Sequence, residues 1–115
     1  MSLVTEWPRE YAHFTTAEMT CRCGCGCLPS AAFMDWLEKV RDSYGHPMHI
    51  TSGARCAKHN AAVGGAEDSM HLIGMAADVA VYGPRAMKLI GVAKLWGVQG
   101  LGLKQHGPVA DRFVH

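Results

Sequence analysis

Apolar residues recur at intervals of three and four between positions 29 and 44, where Phe33, Trp36, Leu37, Val40 and Tyr44 fall on one face of a helix. Pro29-Ser30 stands ahead of the run and Gly45 where a helix C-cap belongs, so the pattern predicts a helix over 30–44. Beyond it the apolar runs shorten. Residues 48–51 read as a short strand, 57–63 as a short helix closed by Gly64-Gly65, and 76–81 as a second strand. Pro84 suits the first turn of another helix reaching to about residue 96, and strand-like runs at 99–103 and 113–115 come after it. Ahead of all this, residues 14–19 carry threonines able to cap a single helical turn. The order is mixed α+β, without internal repeats or low-complexity tracts.

Length and charge narrow the functions available. A chain of 115 residues suits one domain, 1–115, with a core of useful size, and residues 1–13 read as an N-terminal extension. Eleven basic against 10 acidic residues leave a formal net charge of +1, so neither a nucleic acid nor an anionic membrane is an expected partner. No run approaches the roughly 20 apolar residues needed to span a bilayer. Glu6, Arg9 and Glu10 interrupt the N-terminal region, which therefore lacks an apolar signal-peptide core. A protein that is cytoplasmic as synthesised is the expectation.

The chemistry concentrates in Ser69-Met70-His71-Leu72-Ile73-Gly74-Met75-Ala76-Ala77-Asp78, where a histidine and an aspartate stand seven residues apart across small residues. Imidazole nitrogen and carboxylate oxygen both suit Zn²⁺, and a catalytic zinc takes three protein ligands and leaves one position open. His71 and Asp78 read as two of the three. A lone histidine and a lone aspartate are more often a hydrogen-bonded loop residue and a strand-edge carboxylate; the fixed frame of Ser, His, Gly, Ala and Asp favours the metal.

That frame resembles the S-x-H-x-x-G-x-A-x-D signature of the zinc D-Ala-D-Ala carboxypeptidase-like peptidases, whose fold is shared with the Hedgehog signalling domain. Ile50-Thr51-Ser52-Gly53-Ala54-Arg55 is similar to the family's strand ending in S-G-x-R. Asn60 with Val63-Gly64-Gly65-Ala66 resembles the segment leading to the zinc loop, and Phe113-Val114-His115 the strand that delivers the last zinc histidine. The resemblance implies a small antiparallel sheet carrying the zinc site, flanked by helices, with one Zn²⁺ per chain held by His71, Asp78 and His115. His106 is the reserve for the third ligand. It also implies a metallopeptidase, of carboxypeptidase or endopeptidase type, cutting peptidoglycan stem peptides or cross-links near D-amino acids at the cell wall. Small members of this kind are often phage endolysins. Arg55 would stabilise the oxyanion or grip a peptide carboxylate through two parallel hydrogen bonds, and Ser69 would bind substrate polar groups. Relatives place an acidic residue, or another base, three positions before the last histidine. Here the chain departs from that pattern, with Arg112 at that position and Asp111 the one before it; Asp111 is the candidate base, and a base just beyond His115, as in relatives with H-x-D, is the other reading. The alternative is a non-catalytic, zinc-stabilised wall-binding or phage structural module.

Five cysteines remain. Cys21, Cys23, Cys25 and Cys27 alternate with Arg22, Gly24 and Gly26, and on a flat strand they would share one face. Their two-residue spacing differs from paired C-x₂₋₄-C knuckles. Reduced packing thiols, disulfide pairing with Cys56 among the partners, and a second metal site all stay open. His13, His46, His49 and His59 carry no ligand pattern and read as surface residues. Trp36 and Trp96 read as core, and Met34, Met70, Met75 and Met87 as gap-fillers, Met70 and Met75 flanking the metal loop.

Overall fold

The computed structural model describes residues 3–64, 69–98, 100, 103–104 and 113–114. Helix α1 (Thr16–Met19) is set by a capping box: the Thr15 hydroxyl accepts from the Glu18 N–H at 3.2 Å, and the Glu18 carboxylate accepts from the Thr15 N–H at 2.9 Å. Helix α2 (Ala31–Tyr44) begins where the Ser30 hydroxyl accepts from the Phe33 N–H and ends at Gly45 with φ +76°. Its buried face is Met34, Leu37, Val40 and Tyr44, with Phe33 and Trp36 only partly buried against it. The apolar stripe is thus rotated from the one expected, towards Met34.

Four short strands come after the helices: β1 (His49–Ser52), β2 (Asp78–Ala80), β3 (Leu103–Lys104) and β4 (Phe113–Val114) form an antiparallel sheet in the order β1-β2-β4-β3. Between β1 and β2 lie α3 (Ala57–Ala62) and a 3₁₀ turn (Met70–Ile73), and α4 (Gly83–Leu95) succeeds β2 with Pro84 in its first turn. Ile50 and Val79 are paired across β1 and β2, both buried, and both join the core formed with α2 and α4. The fold is α+β, a small antiparallel sheet flanked by helices. Among the described residues, no helix is long and apolar enough to cross a membrane.

Some elements depart from the sequence-based expectation. The second strand starts at Asp78, because Gly74 closes the 3₁₀ turn in the left-handed region at φ +73° and the chain only then extends. Loop 21–27 is no strand. The Cys21 N–H donates to the Cys27 carbonyl at 2.9 Å and the Gly24 N–H to the Cys21 carbonyl at 3.1 Å, with Gly24 and Gly26 at φ +84° and +85°. Trp96 is an exposed ring whose indole N–H donates to Ser43 Oγ at 2.9 Å, while the Trp36 indole donates to the Trp96 carbonyl. Met87 is exposed as well. His13, expected on the surface, is partly buried, with Nδ1 2.6 Å from Glu38. It helps bind the N-terminal segment to α2, as do Trp7 through the Pro29 carbonyl and Tyr11 through Asp35.

Two close approaches fix the segment on which the site stands. The Gly74 carbonyl accepts from both the Ser30 N–H (3.0 Å) and the Ser30 hydroxyl (3.2 Å). A Cβ on Gly74 would lie 2.7 Å from the Ser30 nitrogen. On the other side, a Cβ on Gly53 would lie 2.5 Å from the Met19 carbonyl oxygen. Gly74→Ala should therefore destabilise the fold by about 2 kcal/mol or more, through left-handed strain and the clash. Gly91→Ala, in open space within α4, should stabilise it by about 0.5–1 kcal/mol. Denaturant unfolding of the two variants checks both signs.

Candidate active site

Ser69 starts the 3₁₀ turn, its hydroxyl accepting the His71 N–H at 3.3 Å. The turn swings His71 inward until its side chain has no exposure at all, a position no imidazole can hold without a partner. The partner of Nδ1 is the Gly53 carbonyl, 2.6 Å away. A carbonyl only accepts, so Nδ1 carries a proton, and in the neutral ring Nε2 presents its lone pair. That lone pair faces Asp78 Oδ2 at 3.5 Å.

A cation between these two atoms would suit both of them. A proton shared as a charge-assisted hydrogen bond would bring the atoms to about 2.7–2.9 Å. Nitrogen and oxygen on neighbouring corners of a tetrahedron about Zn²⁺, at about 2.0–2.2 Å from the ion, would stand roughly 3.4 Å apart. The observed separation fits the second case, and the Gly53 carbonyl behind Nδ1 is the kind of partner that orients a ligating imidazole.

Asp78 opens β2 opposite Ser52, just past an irregularity in the β1–β2 register between Ile50 and Ser52. Such a bulge bends the end of β1 and re-aims the residues beyond it, Gly53, Ala54 and Arg55. The Arg55 N–H donates to the His71 carbonyl at 3.3 Å, and its guanidinium donates to Ser69 Oγ at 3.2 Å. Arg55 Nε is buried and has no hydrogen-bond partner among the described residues. Met70, the residue before His71, is 45% exposed.

The structure thus brings together His71, Asp78, Arg55 and Ser69. Asp111, His115 and the reserve His106 lie outside the described residues. Sequence reasoning missed the Gly53 carbonyl, since a backbone acceptor leaves no signal in residue type; the only hint was the glycine of S-G-x-R.

A protein-family model described as Peptidase M15 matches residues 12–115. Neither the curated proteins nor the solved structures give a match.

The hydrogen bond to Gly53 makes a spectroscopic prediction. Long-range ¹H–¹⁵N correlation of the protein should find His71 protonated at Nδ1. An unprotonated Nδ1 would contradict the bond to Gly53.

Proposed function

The chain belongs to the peptidase M15 family, and on that premise we propose that it is a zinc-dependent hydrolase of peptidoglycan stem peptides or cross-links, cutting next to D-amino acids at the cell wall. The family makes it a metallopeptidase; the bond and the substrate are the proposal. The observation that carries it is the facing pair of His71 Nε2 and Asp78 Oδ2 at 3.5 Å, with a guanidinium and a hydroxyl held beside it.

His71 and Asp78, with His115 as the third ligand in this reading, would hold the Zn²⁺. Bound there, the ion would supply Lewis-acid polarisation of the scissile carbonyl and a water with its pKa lowered to about 7. Arg55 works at the neighbouring position. Its Nη2 is steadied by Ser69, and the guanidinium would meet a substrate oxygen, either the carbonyl on which charge develops or a terminal carboxylate. Ser69 therefore has two tasks, capping the turn that aims His71 and orienting Arg55 towards substrate. Asp111 is the candidate to accept the proton of the attacking water.

Defined muropeptides incubated with zinc-loaded protein, with products identified by mass spectrometry, test the reading. Release of D-Ala marks a carboxypeptidase and an internal cut near a D-residue marks an endopeptidase. No product, with binding to intact peptidoglycan retained, would instead establish the non-catalytic module. Arg55→Ala should keep the metal and lower kcat/KM by roughly 10²-fold or more, as losing one oxyanion donor does. Asp78→Ala should lower bound zinc by one equivalent per chain and abolish hydrolysis, read by metal analysis and the same assay.

A further inference from the structure

The five cysteines divide unevenly. Cys21, Cys23, Cys25 and Cys56 bring their sulfurs within 4.8 Å of one another, and Cys27 stays outside the group. Measured pairs are 3.4 Å for Cys21–Cys23, 3.5 Å for Cys23–Cys56 and 3.7 Å for Cys21–Cys56. These are far longer than the roughly 2.05 Å of a disulfide. Four sulfurs each about 2.3 Å from one tetrahedral ion would be about 3.8 Å apart, close to what is found.

The backbone builds this cluster from two distant segments. Loop 21–27 doubles back through Gly24 and Gly26 in the left-handed region, so cysteines at alternate positions turn to one side of a closed loop. Cys56 arrives from beyond β1. Its N–H donates to Cys21 Sγ at 3.4 Å, and its own sulfur accepts the His59 N–H at 3.5 Å. Backbone N–H groups aimed at sulfur suit thiolates that carry charge. A role as packing thiols fails on burial: Cys23 and Cys25 are exposed, so gathering them removes little apolar surface from water.

We propose that Cys21, Cys23, Cys25 and Cys56 form a closed tetrahedral tetrathiolate site for a second Zn²⁺, structural and separate from the His71–Asp78 pair. With all four positions taken by protein, it keeps none open for substrate. Its effect is positional. The ion would clamp loop 21–27 to the residue directly after Arg55, and so help hold the 53–56 segment. Cys27 contributes its carbonyl to loop closure and stays a free thiol.

Metal analysis of protein purified under reducing conditions, together with Co²⁺ substitution, tests this. Co²⁺-loaded wild type should show the intense thiolate-to-metal charge-transfer absorption of a sulfur-rich tetrahedral site. Asp78→Ala and Cys27→Ser should keep that band, whereas Cys25→Ser should lose it along with one equivalent of zinc. Retention of the band in Asp78→Ala separates this site from the peptidase reading, which can fail without affecting it. Absence of the band in folded wild type, wild-type zinc in Cys25→Ser, or disulfides among these four cysteines in the freshly reduced, metal-loaded protein would each overturn the proposal. The wild-type spectrum decides the matter even if Cys25→Ser does not fold.

Discussion

A fully buried imidazole has to satisfy both nitrogens, and the way His71 does so organises the residues around it. Its Nδ1 is held by the Gly53 carbonyl at 2.6 Å, which fixes the ring plane and leaves Nε2 aimed at Asp78. The bond works only if the 53–56 segment is itself immobile, and every residue in that segment is tied to another part of the chain. Gly53 abuts the Met19 backbone, the Ala54 N–H donates to the Met19 carbonyl, the Arg55 N–H donates to the His71 carbonyl, and the Cys56 N–H donates to Cys21 Sγ. Four consecutive backbone positions join α1, the cysteine loop and the histidine turn.

The opposite wall of the site is held by different means. Gly74 hands its carbonyl to Ser30, so the N-terminus of α2 and the end of the histidine turn move together. Since α2 is the most buried helix by its Met34–Leu37–Val40–Tyr44 face, the turn is anchored to the core rather than to another loop. Asp78 approaches from the sheet, its register set by the Ile50–Val79 pair that both strands bury. Histidine and aspartate are seven residues apart in sequence but belong to different mechanical parts. Their 3.5 Å separation is a property of how those parts dock.

Much of the architecture was legible from local pattern. The long helix showed in its apolar spacing and in Ser30 and Gly45 at its ends, the later helix in Pro84, and the first helical turn in threonines able to cap it. These are short-range interactions written in neighbouring residues. The rotation of the buried stripe towards Met34, and the exposure of Trp96 and Met87, were not legible, because a helix presents several apolar faces and only the elements packed against it choose one. The strand boundaries slipped for a related reason. Strands of two to four residues contain too little alternation to define their own ends.

The site divides along the same line. The sequence by itself singled out His71, Asp78, Arg55 and Ser69, which the fold brings together, because metal-ligating and anion-binding chemistries are written in residue identities. It also showed that five cysteines were present without showing which of them meet. Only the tertiary structure decided that Gly53 holds the histidine proton, that Arg55 reaches Ser69, and that Cys56 rather than Cys27 completes the group of four sulfurs. Those outcomes depend on backbone carbonyls and on left-handed turns at Gly24, Gly26 and Gly74. A backbone carbonyl is the same in every residue, so its use as a partner is decided by where the chain folds back.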